Sequence, residues 1–281
     1  MISDITFGQY LPCDSVIHKT DPRVKFLLLI FIIVFIFLST TALSMALSIA
    51  FVAVIIAVSK IPFTLYLKNL KAILPILIFT AVINSLYVKE GAVLLDWWII
   101  NITTGGIYRA VLMALRITLL IFVSASLTYT TTPNDLTDAI ERLCLPLKFI
   151  GLSTVVHILT MMMTIALRFI PTLIEETQKI INAQKARGAD IESGGLISKI
   201  KALTPILIPL IILSVRRAYD LAEAMECRCY NGGVGKQRMK QLKIHKRDIA
   251  VCAVSVFWAG LIILTIFFGD YYATLFAENI F

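Results

Sequence analysis

The sequence predicts an all-α integral membrane protein with about five transmembrane helices plus a cytoplasmic or interfacial domain of long helices. Three observations support this prediction. Hydrophobic residues make up 58% of the 281 residues and charged residues only 16%, whereas a soluble domain is about half apolar and a quarter charged. Several apolar stretches are long enough to cross a bilayer. The basic residues are concentrated in a few segments, as they are in the cytoplasmic regions of membrane proteins.

The first two spans are predicted to form a helical hairpin. Residues 26–59 carry no charge, and one straight helix of that length would measure about 50 Å, against roughly 30 Å of hydrocarbon. The chain must therefore turn, near Ser39–Thr41, and return to the side from which it started. Pro22 favours a helix that begins at or just after it.

Three further spans follow. A basic loop at 60–71 precedes the third span, about 72–88, and the fourth span runs from about 107 to 129. Arg116 lies near the middle of the fourth span, where an arginine needs a polar partner, and we expect it to be a buried anchor between helices. The last span is about 249–268, and a short acidic tail follows it.

The region between the fourth and last spans contains a short amphipathic helix, Pro133–Cys144, and two long helices, Phe149–Arg187 and Leu196–Tyr230. The apolar part of the second long helix, 202–215, is about 21 Å long and too short to cross. If the apolar part of the first, 149–167, crossed the membrane, the basic segment that follows it would lie outside, against the positive-inside rule. We therefore expect both to lie along the membrane boundary.

The distribution of charge predicts the orientation and the domains. Seventeen of the 26 Lys and Arg residues lie between 130 and 248, so this region and the N-terminus are expected in the cytoplasm. The predicted domains are an N-terminal membrane domain at 1–131, a cytoplasmic domain at 132–247, and a last helix with an external tail at 248–281. The net charge of +8 fits this orientation better than nucleic-acid binding, which we do not expect.

The sequence offers no catalytic, cofactor-binding or metal-binding constellation. Asn231–Gln237 approaches a phosphate-binding loop, but it has Tyr230 where the pattern requires glycine and Gln237 where it requires Ser or Thr. The chain is therefore not expected to be an enzyme. One function that these residues leave open is that of a stand-alone carrier or channel for a small cation, with Arg116 and Asn84 lining its path.

Two similar blocks end the two long helices. The first reads Ala183–Gly188 and contains Arg187, and the second reads Ala224–Tyr230 and contains Arg228. Each arginine has small neighbours, and small neighbours allow a helix end to approach another protein closely, so that the guanidinium can bind carboxylate or carbonyl oxygens there. One such block could be an ordinary helix C-terminus, but two suggest two similar partners. The candidate docking residues are Ala186, Arg187, Gly188, Cys227, Arg228 and Cys229.

The chain resembles the transmembrane T component of energy-coupling factor (ECF) transporters over nearly its whole length. The two arginine blocks, in this order and setting, are the specific part of the resemblance. The supporting segments are Gly8–Tyr10, Asp21–Lys25, Thr131–Pro133, Pro146–Lys148 and Leu167–Pro171.

The resemblance implies a function in coupling, at the plasma membrane of a prokaryotic cell. In that family each arginine block docks into a groove on one of two cytoplasmic ABC-type ATPases, and Arg187 and Arg228 match those positions. The second block departs from the family pattern because Cys227 and Cys229 replace the usual alanine and glycine. The apolar helices would hold a membrane-embedded S component, which binds the vitamin or metal ion, within the membrane lipid. ATP would be hydrolysed by the partner ATPases.

Overall fold

A computed structural model describes residues 10–87, 93–97, 100–144, 153–188, 196–230 and 245–278. The chain divides into two compact units. The bundle unit comprises the described residues of Gly8–Thr132 and Leu242–Phe281, and the long-helix unit comprises those of Pro133–Gln241. The predicted all-α architecture is confirmed, with one short β-hairpin added to it. The predicted loop at Asn231–Gln237 lies outside the described residues.

The bundle unit is organised around α4, which packs against α1, α2 and α3, while α8 packs against α1 and α2. An apolar core joins α1, α2, α4 and α8. In it the ring of Phe51 stacks on the indole of Trp258, with ring centroids 4.3 Å apart. The elements are α1 (Pro22–Leu38), α2 (Ala42–Ser59), α3 (Phe63–Tyr87), β1 (Val93–Trp97), β2 (Ile100–Thr103), α4 (Thr104–Thr130) and α8 (Lys246–Glu278).

Polar contacts tie the N-terminus of α1 to two other helices. Asp21 caps α1 because its carboxylate accepts a hydrogen bond from the amide of Arg23, and its own amide donates to the Asp248 carboxylate of α8 at 3.0 Å. The buried Lys25 ammonium donates to the carbonyl of Thr130, at the end of α4, at 2.9 Å. A lysine suits that position because the C-terminus of a helix carries partial negative charge.

The observed boundaries confirm the turn that separates α1 from α2 and correct two other predictions. The hairpin turns between Leu38 and Ala42. The prediction of a basic loop at 60–71 is wrong in part, because α3 already begins at Phe63 and includes Lys68 and Lys71. The long aliphatic stems of these lysines are compatible with a helix at a membrane boundary.

The last helix does not end near 268 but continues to Glu278. The segment between α3 and α4 contains an element that the sequence analysis did not predict, an antiparallel hairpin of β1 and β2 with Trp97 opposite Ile100. Its strands are rich in isoleucine, valine and tryptophan, which favour extended structure.

The long-helix unit contains α5 (Pro133–Leu143), α6 (Ser153–Ala186) and α7 (Leu196–Cys227). Helix α6 packs against both α5 and α7. His157 of α6 contacts Glu141 of α5 through Nδ1 and a carboxylate oxygen 3.0 Å apart. Proline interrupts both long helices, at Pro171 in α6 and at Pro205 and Pro209 in α7, in agreement with the sequence.

Five helices of the described residues are long and apolar enough to cross a membrane. This number agrees with the prediction, but the set differs. It comprises α2, α3, α4, residues 155–186 of α6 and residues 246–268 of α8, whereas α1 is only 17 residues long. By length and composition α6 is thus a candidate span, contrary to our expectation that it only follows the boundary. Helix α7 is not in this set, as its short apolar stretch predicted.

Candidate interaction site at two helix ends

Helix α6 ends in a C-cap centred on Arg187. The amide of Arg187 donates to the carbonyls of Ala183 and Gln184 at 3.3 and 3.1 Å, and the amide of Gly188 donates to Lys185 at 3.0 Å. Gly188 has a φ of +86°, a left-handed conformation that glycine adopts without steric cost. This glycine therefore terminates the helix directly after the arginine.

Helix α7 ends in the same way, although its sequence differs. The amide of Cys229 donates to Glu226 at 2.8 Å and the amide of Tyr230 donates to Met225 at 3.0 Å. This pair of bonds defines the Schellman motif, in which the residue after the C-cap is left-handed. Cys229 fills that position with a φ of +51°, which is uncommon for any residue other than glycine. Arg228 thus occupies the same position in its cap as Arg187 does.

All six predicted site residues are exposed. We call Ala186–Gly188 the α6 end and Cys227–Cys229 the α7 end. In each, the arginine is preceded by a small residue in the last helical turn and followed by a small left-handed residue. The backbone leaves the helix directly after the arginine, and the side chains of the flanking residues are only a methyl group, a thiol group or a hydrogen atom. Each end can therefore present a guanidinium, with five N–H donors, to a complementary groove.

Two polar contacts show how α6 and α7 run past each other. Arg217 Nη2 of α7 lies 2.9 Å from Glu176 Oε1 of α6. Gln184 Nε2 of α6 donates to the carbonyl of Pro205 at 3.4 Å. This carbonyl lacks its usual intrahelical donor, because the residue four positions on, Pro209, has no N–H. Later residues of α6 meet earlier residues of α7, so the two helices are antiparallel.

The antiparallel arrangement places the two ends at opposite ends of the pair. Arg187 and Arg228 each lie eleven residues beyond the Glu176–Arg217 contact in their own helix. At a helical rise of 1.5 Å per residue each end is about 16 Å from that contact, which gives a separation of about 30 Å along the pair. The structure thus holds the two arginines apart and does not assemble them into one pocket.

The other predicted polar residues of the spans have local structural roles. Arg116 Nη2 donates to the carbonyl of Ser39, the C-cap of α1, at 2.5 Å. This bond joins α4 to α1 as the sequence predicts, although Arg116 is half-buried rather than buried. Asn84 Nδ2 donates to the carbonyl of Thr80 in its own helix at 2.8 Å.

Sequence reasoning missed two features of the site. The Glu176–Arg217 pair was not predicted, although Glu175–Glu176 precede Arg187 at the same spacing at which Arg216–Arg217 precede Arg228. Because an acidic pair and a basic pair lie at equal distances from the two arginines, this spacing could have predicted the contact between them. The left-handed backbone of Cys229 was also missed, because cysteine gives no sign of it.

The five membrane-length helices of the described residues indicate a multi-pass membrane protein, and the two exposed arginine ends are its candidate interaction surfaces. Residues 14–241 match the family described as "Cobalt transport protein" (CbiQ). The energy-coupling factor transporter transmembrane protein EcfT of Ruminiclostridium cellulolyticum is 49% identical over 264 residues, which cover 94% of this chain and 98% of that protein.

Two further relatives have the same name. The EcfT of Clostridium kluyveri is 50% identical over 258 residues, covering 90% of this chain and 94% of the relative. The EcfT of Acidaminococcus fermentans is 46% identical over 267 residues, covering 95% and 96%. The chain belongs to this family and is the transmembrane component of an ECF transporter, a multi-pass membrane protein with a non-catalytic part in transport.

Proposed function

We propose that this chain couples two cytoplasmic ABC-type ATPases to a membrane-embedded S component that binds a vitamin or a metal ion. The observation that carries the proposal is the pair of alike, exposed arginine ends at opposite ends of an antiparallel helix pair. Two equivalent contacts about 30 Å apart fit two similar partners side by side better than they fit one ligand. The ATPases would supply all ATP hydrolysis.

Docking through these ends has a clear physical basis. Each guanidinium can donate several hydrogen bonds to carboxylate or carbonyl oxygens in a groove, and such charge-assisted bonds are about twice as strong as neutral ones. The small residues beside Arg187 and Arg228 let the groove close around the helix end. Arginine is also among the residues that dominate interface energies. The α7 end, with its two cysteines, would dock in the same manner as the α6 end.

The S component is proposed to lie against exposed apolar side chains of the long helices. Leu159, Met162 and Met163 of α6 and Leu207, Ile211 and Ile212 of α7 are exposed. Such surfaces on a membrane protein are suited to lipid or to another membrane protein. When the ATPases close on ATP, their grooves would move the two ends, and α6 and α7 would pass that movement to the S component. This arrangement requires α6 to lie along the membrane boundary rather than across it, although its length and composition would allow it to cross. It also requires 132–247 and the N-terminus to be cytoplasmic.

Charge reversal in a reconstituted transporter tests the proposal. The chain, both ATPases and an S component are placed in liposomes, and ATP-dependent uptake is measured for Arg187→Glu, Arg228→Glu and the double variant. We expect each single variant to lose most uptake and the double variant to lose all of it, while membrane insertion is unchanged.

The matched control is Arg216→Glu, which reverses another exposed arginine of α7 away from its end. It should retain uptake. Full uptake by the double variant would refute docking through the ends, and uptake by the chain alone, without any ATPase, would favour the cation carrier.

A further inference from the structure

We infer that Glu176, Arg217 and Gln184 form a brace that makes α6 and α7 move as one body, so that displacement of one arginine end is transmitted to the other. This inference rests on the proposed function, because it assigns a mechanical role to contacts between the two docking ends. It concerns positioning residues, since none of the three belongs to the six residues of the ends.

The brace has two points of contact. At the first, Arg217 Nη2 and Lys179 Nζ approach the same oxygen of Glu176, at 2.9 and 3.3 Å. The Arg217 and Glu176 side chains are 27% and 23% exposed, whereas Lys179 is 70% exposed and lies in the same helix as Glu176. Of these two contacts of Glu176, the Arg217 bond is the one that joins α6 to α7, and it is the more sheltered.

The second point of contact uses a backbone group that a proline leaves free. Gln184 donates to the Pro205 carbonyl, and this carbonyl is available because Pro209 cannot donate to it. The bond lies three residues before Arg187, so it fixes the α6 end to the flank of α7. Two separated contacts between two rods determine their relative sliding and their crossing angle, which one contact cannot do.

The segments between the brace and the ends are built to be stiff. Residues 177–186 and 218–227 contain no proline or glycine, whereas all three prolines of these helices lie on the other side of the Glu176–Arg217 contact. Bends in helices concentrate at proline and at inserted groups. The Gln178 amide donates to Asn182 at 3.0 Å and adds support within the α6 segment. Motion at either end is thereby delivered to the Glu176–Arg217 contact. In α7 the prolines lie at or between the two points of contact, so the Gln184 bond also holds the part of α7 that could bend, whereas Pro171 of α6 lies beyond the brace.

Transport in liposomes and a distance measurement together test the brace. The variants are Glu176→Gln and Gln184→Leu, with Lys179→Gln as matched control, because it removes the other cation on Glu176 without touching α7. In the complete transporter we expect both ATPases to stay bound to all variants. Substrate transported per ATP hydrolysed should fall about two- to fivefold in Glu176→Gln, as expected for loss of a partly exposed ion pair, and fall further when Gln184→Leu is added. Lys179→Gln should keep the original ratio.

The distance is measured between spin labels at Cys227 and at a cysteine introduced at Lys185, after Cys229→Gly and replacement of Cys13, Cys144 and Cys252 by serine. We expect a single narrow distribution in the parent chain, a broader one in Glu176→Gln, and a narrow one again in the exchanged pair Glu176→Arg with Arg217→Glu. An unchanged distribution and transport ratio in Glu176→Gln, or equal effects of Lys179→Gln, would overturn the brace. If the unlabelled parent chain fails to bind the ATPases, the proposed function is refuted, while the distance distributions still decide whether the brace exists.

Discussion

Replacing Gly188 by alanine should destabilise the α6 end by about 1 kcal/mol, because an L-residue in the left-handed region costs roughly 1–2 kcal/mol. The cost can be assigned to the backbone alone. A Cβ built on Gly188 meets no atom within 4 Å, and φ is +86°, so no steric clash contributes. The matched control is Gly260→Ala in α8, where a Cβ also meets nothing. Since glycine in a helix interior costs roughly 0.5–1 kcal/mol relative to alanine, this control should stabilise α8.

The two variants therefore have opposite expected signs at sites with equal space. Hydrogen–deuterium exchange of a peptide covering 183–188 reports the effect, because the amides of Arg187 and Gly188 are hydrogen-bonded in the cap. A change of 1 kcal/mol corresponds to about fivefold faster exchange in Gly188→Ala, and ATPase affinity should fall with it. The assignment of a left-handed backbone to residue 188 would be refuted by equal exchange rates in Gly188→Ala and the parent chain. It would also be refuted if both alanine substitutions stabilised the protein.

Three further predictions concern Cys229 at the α7 end, Arg116 beside the C-cap of α1, and His18 in the segment before α1. Cys229→Gly should slow exchange of the amides of the α7 end, since glycine adopts the left-handed φ of 51° without the cost to an L-residue; faster exchange would contradict this. Arg116→Gln should lower the unfolding free energy by about 1.5–3 kcal/mol, the value of a charge-assisted hydrogen bond, because Ser39 loses its donor; chemical denaturation in micelles measures it. Burial lowers the pKa of His18 from its ordinary value of 6.5, so the folded state favours the neutral ring. The free energy of unfolding should therefore fall as the pH drops below 6.5. This fall should be smaller in His18→Gln, which has no imidazole to protonate.

The sequence predicted the features whose physical cause is local. The hairpin of α1 and α2 followed from a charge-free run that is too long for one span, and the turn between Leu38 and Ala42 lies where Ser39–Thr41 indicated. The helix ends at Arg187 and Arg228 followed from arginine and small residues after long helical patterns. In both cases neighbouring residues alone determine the outcome.

The features that depend on contacts between distant residues were not predictable. Pro209 shows in the sequence that the carbonyl of residue 205 lacks its helical donor, but only the antiparallel packing of α6 and α7 makes Gln184 its partner. Lys68 and Lys71 were assigned to a loop because charge usually marks the end of a span, whereas α3 includes both. A lysine can extend its stem along a helix and keep its ammonium in water, so charge alone does not locate a helix boundary.

Native mass spectrometry of the chain with its two ATPases tests the central claim most directly, because it counts the partners held by each arginine end. The parent chain should carry one copy of each ATPase. Arg187→Glu should lose one of the two and Arg228→Glu the other, while the double variant should carry neither. A double variant that still carries both ATPases, or a single variant that loses both, would contradict independent docking at the two ends.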